Sequence, residues 1–187
     1  MARSLNKNRM LVSRILMFSS IALILFTRPF WPYGSALHET FDALGYALIV
    51  FCGMGRLYST AFLGGFKNET LVTYGPFSVV RNPLYVFSWL GFTGFAIFSN
   101  NLWVMLLVPV GFFFLYRSLV KREEVFLQEK FGQAYSDYCA RVPRFIPDFS
   151  NFNQPDEITI APRLFLRGLL DNVWWFIIPI ILEMMEF

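Results

Sequence analysis

Five long, largely apolar stretches, separated by short polar segments, dominate the pattern of the chain. They cover about residues 10–27, 43–62, 83–98, 102–131 and 164–185. A helix needs about 20 mostly apolar residues to cross the core of a bilayer, and these stretches are of that order. The pattern therefore predicts an all-α integral membrane protein with about five transmembrane helices. Small residues in the second stretch, namely Gly45, Gly53 and Gly55, predict close packing of that helix against its neighbours.

The short polar segment between the third and fourth stretches predicts how these two helices meet. Asn100 and Asn101 leave room only for a tight turn, which favours an antiparallel helical hairpin. The fourth helix meets no strong breaker before Gly132 except Pro109. At 1.5 Å per residue, about 30 residues span roughly 45 Å, which exceeds a hydrocarbon core of about 30 Å. We therefore expect the end of this helix to emerge from the membrane.

The first stretch resembles a secretory signal in one respect, because the basic residues Arg3, Lys7, Arg9 and Arg14 surround its start. However, no small-residue cleavage site follows, and the stretch ends in the polar and proline-containing segment 27–29. We therefore predict an uncleaved first transmembrane helix.

Lysine and arginine fall mainly on one side of these helices. They occupy the N-terminus, the connection between the second and third helices, and the segment after the fourth. The 100–101 turn is uncharged, and the end of the chain is acidic. Because cytoplasmic loops are enriched in basic residues, the N-terminus is predicted to be cytoplasmic and the C-terminus external. We expect a multi-pass protein of a bacterial inner membrane.

Composition agrees with lipid as the main solvent. Of 187 residues, 56% are hydrophobic and only 16% are charged, whereas about a quarter of an average soluble domain is charged. The two cysteines, Cys52 and Cys139, form no disulfide framework or metal-ligand spacing. A single histidine, His38, argues against a zinc site, so no metal is expected.

Two polar stretches are unusual for a simple membrane anchor. The first, residues 75–85, places a Gly75-Pro76 turn before Asn82 and Pro83 at the start of the third helix. Asn82 would cap this helix, whose N-terminus would present N–H groups to an anion. The alternative is that the stretch is only a well-capped helix start.

The second stretch begins with the adjacent Glu123 and Glu124 on the fourth helix. These carboxylates could bind the amino group of a cationic ligand, although a charge pair at a helix end is usually a solvated face. Arg141 and Arg144 could hold a carboxylate or phosphate, or reach lipid phosphates. The tyrosines of this stretch could equally belong to an interfacial aromatic belt.

In their order and spacing, these features resemble the isoprenylcysteine carboxyl methyltransferase family and its phospholipid methyltransferase relatives. The family pattern is a Gly-Pro turn, an Arg-His-Pro-x-Tyr box, a helical hairpin, a Glu-Glu pair, Phe-Gly, two tyrosines and Arg-Val-Pro. In this chain the elements are Gly75-Pro76, Arg81-Asn82-Pro83-Leu84-Tyr85, Glu123-Glu124, Phe131-Gly132, Tyr135 with Tyr138, and Arg141-Val142-Pro143. The resemblance covers about residues 70–148. It implies one membrane-embedded methyltransferase domain over residues 1–187, with a cytoplasmic cofactor-binding segment towards the C-terminus.

One position departs from the family pattern. Asn82 stands where the family box usually has histidine, and Asn-Pro-x-Tyr is more similar to the phospholipid branch. Asparagine keeps a donor, an acceptor and capping ability, but it cannot act as a general base. The departure leaves cofactor binding in place and puts the substrate class in doubt.

The resemblance implies S-adenosylmethionine as the cofactor and assigns roles to nine residues. Glu123 or Glu124 would bind the amino-acid end of the cofactor, whose carboxylate the N-terminus of the third helix would face. Arg141 would orient the carboxylate or phosphate of the acceptor with its planar fork. The predicted cofactor-binding residues are Arg81, Asn82, Pro83, Tyr85, Glu123, Glu124 and Tyr135, and the predicted catalytic residues are Arg141 and Tyr138.

The resemblance thus implies methyl transfer to a lipophilic small-molecule or lipidated acceptor, first of all a carboxylate as in protein-S-isoprenylcysteine O-methyltransferase. The alternatives are N-methylation of a phospholipid amine and a non-enzymatic membrane scaffold that keeps the fold. A carboxylate is ionised at neutral pH and needs no base, whereas an amine must first lose its proton. The expected partners are the acceptor and membrane lipids, without nucleic acid.

Overall fold

The computed structural model describes residues 29–63, 70–160 and 162–185, and within them the chain is helical, without a strand. The helices are α1 (Ala36–Leu63), α2 (Pro76–Val79), α3 (Pro83–Phe98), α4 (Leu102–Phe131), α5 (Gln133–Arg141) and α6 (Pro162–Met185), with a 3-10 turn at Phe149–Asn151. The all-α prediction is confirmed for these residues. The first predicted helix, at about residues 10–27, lies outside the described ranges.

Helices α1 and α4 are long and apolar enough to cross a membrane, and α3 is a shorter apolar helix. These helices indicate a membrane protein. The count of five spans and the orientation stay predictions. Helix α1 begins earlier than the apolar pattern indicated. The hydroxyl of Ser35 accepts a hydrogen bond from the His38 N–H at 3.2 Å and so caps α1, whose first turns carry polar residues.

The described residues belong to two compact units, and α1, α3 and α4 each contribute residues to both. In the first unit, residues 29–49 and 89–119, helices α1 and α3 touch through their backbones. A Cβ atom at Gly45 would lie 2.7 Å from the Gly94 carbonyl oxygen, and one at Gly94 would lie 2.8 Å from the Gly45 carbonyl oxygen. Glycine at both positions allows this approach, as the pattern of small residues predicted.

The hairpin of α3 and α4 completes the first unit. The rings of Phe92 and Phe112 stack with their centroids 3.9 Å apart, and the Trp89 indole donates to the Pro109 carbonyl at 2.8 Å. At the turn, Asn100 has a φ of 47°, and the Asn101 side chain caps α4 by accepting from two of its backbone N–H groups. The predicted antiparallel hairpin is therefore confirmed.

In the second unit, residues 50–88 and 120–185, the strap formed by residues 142–153 runs beside α2 and the connection to α3. Three backbone hydrogen bonds of 2.7–2.9 Å join the two segments. They are Gly75 N–H to Asn153 O, Arg81 N–H to Pro143 O, and Asp148 N–H to Val79 O. The strap holds residues 75–82 in place, although they contain only one turn of helix.

Two glycines with positive φ make the turns of this unit. Gly75 (φ 59°) precedes α2 and lies against the Phe62 ring, where a side chain would clash. Gly132 (φ 53°) separates α4 from α5, as predicted for a residue ending a helix. The turn at Gly132 brings α5 back beside the end of α4, where Tyr135, Tyr138 and Val142 are buried against partly buried apolar residues.

Candidate functional site

A recess opens in the second unit where α1 ends and α3 begins. Its empty volume is about 650 Å³, which includes the open solvent at its mouth. Its lining comes from six segments of chain and consists of Leu63, Thr70, Leu71, Val72, Phe77, Arg81, Asn82, Pro83, Leu84, Tyr85, Glu123, Leu127, Tyr135 and Tyr138.

The first turn of α3 forms one wall of the recess. The Asn82 carbonyl accepts from the N–H groups of Tyr85 and Val86, both at 3.1 Å, and so begins the helix. The side-chain amide of Asn82 donates to the Arg144 carbonyl at 3.3 Å, which ties the helix start to the strap. Since Pro83 stands at the first helical position, the positive end of the helix dipole is directed at the recess.

Glu123 supplies the negative charge of the recess. The Tyr85 hydroxyl donates to its Oε2 at 2.9 Å, and both side chains line the recess. This bond joins α3 to α4 and fixes the direction of the carboxylate. A carboxylate held in this way can accept further hydrogen bonds from a cationic ligand.

Glu124, the residue after Glu123, contacts two arginines of the protein. Arg144 binds it with two hydrogen bonds, Nε to Oε1 at 3.0 Å and Nη2 to Oε2 at 2.6 Å. Arg81 Nη1 lies 3.2 Å from the same Oε1, and the side chains of Glu124 and Arg81 are only 12% and 13% exposed. The hydrogen bond to Glu124 also raises the pKa of Arg144. The charge of Glu124 is thus balanced within the protein.

Arg81 keeps one donor for a ligand. Its Nη1 contacts both Glu124 and the Cys139 sulfur. Its Nε is buried, and no described residue accepts a hydrogen bond from it. A buried donor without a partner is costly, so this atom indicates a place for an acceptor such as a ligand carboxylate.

Tyr135 and Tyr138 line the recess together with Arg81. Both are 3% exposed, and burial raises the pKa of each phenol. The two side chains therefore stay neutral at physiological pH and cannot serve as bases. The Tyr138 hydroxyl donates to the Phe77 carbonyl at 2.7 Å and so joins α5 to α2.

Replacing Tyr138 by phenylalanine should lower the free energy of unfolding by about 1–3 kcal/mol, because the buried Phe77 carbonyl loses its donor. The measurement is thermal unfolding of the purified protein in detergent. Tyr58→Phe is the matched control, since the Tyr58 hydroxyl makes only an exposed bond to Gln154 at 3.4 Å. Equal midpoints for the two variants would contradict this role of Tyr138.

Most of the residues predicted from the sequence meet in one place. The residues that line the recess are Arg81, Asn82, Pro83, Tyr85, Glu123, Tyr135 and Tyr138. Glu124 lies behind Arg81, whereas Arg141 is exposed, and its Nε reaches only the Asp137 carbonyl of its own helix at 3.4 Å. The roles given to these residues stay predictions. The sequence left the role of Arg144 open, and the structure joins this residue to Glu124. The sequence gave no sign of the apolar wall residues of segment 70–72.

The charges of the recess suit a zwitterion. Arg81 and the N-terminus of α3 favour a carboxylate, and Glu123 favours an ammonium group. The amino-acid end of S-adenosylmethionine carries both groups, and apolar walls such as Val72, Phe77 and Leu127 remain for an aromatic base. The residues present therefore fit this cofactor.

Comparison with known proteins extends these observations. The profile of the phospholipid methyltransferase family matches residues 40–134, which include the start of α3 and both glutamates. The chain is 31% identical over 181 residues to the cobalt-zinc-cadmium resistance protein CzcN of Cupriavidus metallidurans, covering 96% of this chain and 82% of CzcN. It is 29% identical over 133 residues to the nickel-cobalt-cadmium resistance protein NccN of Alcaligenes xylosoxydans xylosoxydans, covering 71% of this chain and 62% of NccN.

Proposed function

Because the chain belongs to the phospholipid methyltransferase family, we propose that it transfers a methyl group from S-adenosylmethionine to a lipophilic acceptor in the membrane. The observation that carries this proposal is the pairing of Arg81 and Glu123 across one recess at the N-terminus of a helix. A scaffold has no evident need for a buried guanidinium nitrogen to which no described residue offers an acceptor.

Each charged residue of the recess has a distinct task in this proposal. Glu123 holds the ammonium group of the cofactor, and Arg81 Nε with the first turn of α3 holds its carboxylate. Glu124 and Arg144 keep Arg81 in position. When bound, the cofactor supplies an electrophilic methyl group, whose bond to sulfur breaks with its electron pair left on sulfur as the acceptor bonds to the carbon. The protein must mainly align donor and acceptor at about 3–3.5 Å.

We propose a carboxylate as the reacting group of the acceptor. Among the described residues that line the recess, no side chain is free to act as a base, because the two buried tyrosines stay neutral and Glu123 is used in binding. The single histidine of the chain, His38, is not among the residues that line the recess. A carboxylate is already ionised and needs no base. N-methylation of a phospholipid amine is the alternative, which the family name and Asn82 favour, and it would require a proton acceptor from outside these residues.

A second candidate function follows from the relatives. CzcN and NccN are named as resistance proteins for cobalt, zinc, cadmium or nickel, and CzcN matches almost the whole of this chain. This chain would then act beside a metal-resistance system, either through methylation or as a scaffold without catalysis. Binding of the methyl donor distinguishes these two versions.

The deciding experiment is calorimetric titration of the detergent-purified protein with S-adenosylmethionine and its demethylated product. We expect saturable binding by the native chain and an affinity at least tenfold lower for Glu123→Gln, because a charge-assisted hydrogen bond contributes about 1.5–3 kcal/mol. Glu129→Gln is the matched control, since Glu129 is exposed on the same helix and does not line the recess.

The same titration in lipid nanodiscs guards against an effect of detergent. If folded native protein bound neither compound in either medium, the methyltransferase proposal would be wrong and the scaffold would be the better account. Equal affinities of Glu123→Gln and native protein would leave the activity possible but remove Glu123 from the cofactor site.

A further inference from the structure

Arg56 lies inside α1, seven residues before its C-terminal end, and it contacts two other helices. Its Nε donates to Asn172 Oδ1 of α6 at 3.0 Å. Its Nη1 donates to the Leu84 carbonyl of α3 at 3.4 Å and also to the Ser88 hydroxyl. The guanidinium therefore occupies a junction of three helices in the second unit.

The partners of Arg56 among the described residues are all electrically neutral. Besides the three hydrogen-bond acceptors, the Trp175 ring lies 5.8 Å from its central carbon. Among the described residues, the ion pairs of arginine belong to Arg81 and Arg144, and no carboxylate pairs with Arg56. An arginine stays charged in proteins, and a charge inside a membrane-spanning segment is energetically costly. Such residues therefore usually mark a functional site. Within the described part of the chain, the positive charge of Arg56 is therefore not compensated by a carboxylate.

The guanidinium of Arg56 contacts a residue that lines the recess. Leu84, whose carbonyl it binds, is one of the recess residues. Leu63, another recess residue, follows Arg56 by two helical turns and so lies on the same face of α1, about 10 Å along its axis. A group bound to Arg56 would therefore lie near the proposed cofactor site, on its α1 side.

The surroundings hold the guanidinium in a fixed orientation. The Asn172 amide is 2% exposed, and its nitrogen donates to the Gly168 carbonyl at 2.9 Å, which directs its oxygen at Arg56. A Cβ atom at Gly168 would lie 2.6 Å from the Thr60 side chain, so α6 packs closely on α1. With Nε and Nη1 engaged, Nη2 donates to no described residue. A preorganised donor of this kind costs little entropy when it binds.

We propose that Arg56 binds the anionic group of the lipophilic methyl acceptor, a role that rests on the proposed function and that the sequence alone gave to Arg141. The guanidinium matches carboxylate and phosphate oxygens, and its position inside an apolar helix suits an anion attached to a hydrocarbon chain. Arg141, by contrast, is exposed and lies outside the recess. Arg56 would hold the acceptor while the cofactor residues bind the donor.

The test measures binding of dodecanoate, methyl dodecanoate, dodecylamine and dodecyl phosphate to the native chain in phosphatidylcholine nanodiscs. We expect dodecanoate to bind at least tenfold more tightly than its ester and the amine. Arg56→Gln should lose this preference, and Arg56→Lys should keep part of it. Arg122→Gln, which removes an exposed arginine of α4, is the control for net charge.

Titration with S-adenosylmethionine accompanies each variant, and Arg56→Gln should change that affinity by less than twofold. This arm separates the two proposals, because a failure of the native chain to bind the cofactor would concern the methyltransferase function alone. Loss of cofactor affinity and of thermal stability together in both Arg56 variants would identify Arg56 as a purely structural link and overturn its role as a binding residue.

Three further results would overturn the inference. Equal affinity of the native chain for dodecanoate and methyl dodecanoate would do so without any variant, even if Arg56→Gln failed to fold. Loss of dodecanoate affinity in Arg141→Gln with no change in Arg56→Gln would return the role to Arg141. Arg56-dependent binding of dodecyl phosphate without binding of dodecanoate would assign the site to ordinary phospholipids.

Discussion

Replacing Glu124 by glutamine is expected to cause a large loss of both stability and cofactor binding, although the new side chain has nearly the same shape. The substitution removes the anion that Arg81 and Arg144 share. Arg81 is 13% exposed and would be left with a largely buried, unpaired charge. Breaking a buried pair costs about 3–5 kcal/mol. The Arg144 partner is 37% exposed and contributes less, because solvent screens it.

Thermal unfolding in detergent and titration with S-adenosylmethionine together test this expectation. Glu123→Gln should reduce cofactor affinity and leave the unfolding midpoint nearly unchanged, whereas Glu124→Gln should lower both. A double-mutant cycle of Glu124→Gln with Arg144→Gln should show that the two losses are not additive, since both remove the same contact. An unfolding midpoint of Glu124→Gln equal to that of Glu129→Gln would refute the proposed structural role.

The surroundings of the two glutamates differ in a way that the sequence did not predict. Adjacent residues on a helix point about 100° apart, and in this structure Glu123 lines the recess whereas Glu124 faces Arg81 and Arg144. Leu127 lines the recess four residues after Glu123, and Val120 is buried four residues before Glu124. Helical periodicity therefore places Glu123 and Glu124 on different faces of α4. Only the position of the recess shows which of the two faces lines it. The family pattern alone does not tell which of the two glutamates faces the recess.

The arginines after α5 posed a harder problem. Helix α5 ends at Arg141, so its side-chain direction follows from the helix, and it is exposed. Arg144 follows Pro143 in an irregular strap, whose course depends on backbone bonds to residues 75–82, far away in sequence. No local pattern predicts such a course. The motif order grouped Arg81, Tyr85 and Glu123, which line one recess, whereas the contact of Arg144 with Glu124 required the tertiary structure.

Helix boundaries were predictable where proline or asparagine interrupts the chain. The predicted third and fourth helices, 83–98 and 102–131, agree with α3 and α4, because Pro83 begins one and the Asn100 turn separates them. The start of α1 was wrong by seven residues, at 43 rather than Ala36. Hydropathy alone set that boundary, whereas the capping by Ser35 determines it in the structure.

A large change in stability is also expected when Gly45, at the contact of α1 with α3, is replaced by alanine. Helix propensity favours the substitution, whereas steric overlap between the helices opposes it. Replacing Gly45 by alanine would stabilise an isolated helix by about 1 kcal/mol. In the structure, the new Cβ would lie 2.7 Å from both the Gly94 carbonyl oxygen and the Phe98 backbone nitrogen. Backbone atoms of α3 cannot rotate away as a side chain does, so the two helices must separate. We expect the steric effect to win, with a net loss of about 2 kcal/mol.

The substitution series Gly45→Ala, Gly45→Val and Gly94→Ala should therefore lower the unfolding midpoint, by about 4–8 °C for the first and by more for valine. Gly53→Ala is the matched comparison in the same helix. Its Cβ would meet the far end of the Phe176 ring, a side chain that can move, so its loss should be smaller. Gly45→Ala and Gly94→Ala should also be non-additive, because either one separates the same two helices. A higher midpoint for Gly45→Ala would mean that helix propensity outweighs this contact and that α1 and α3 do not pack through their glycines.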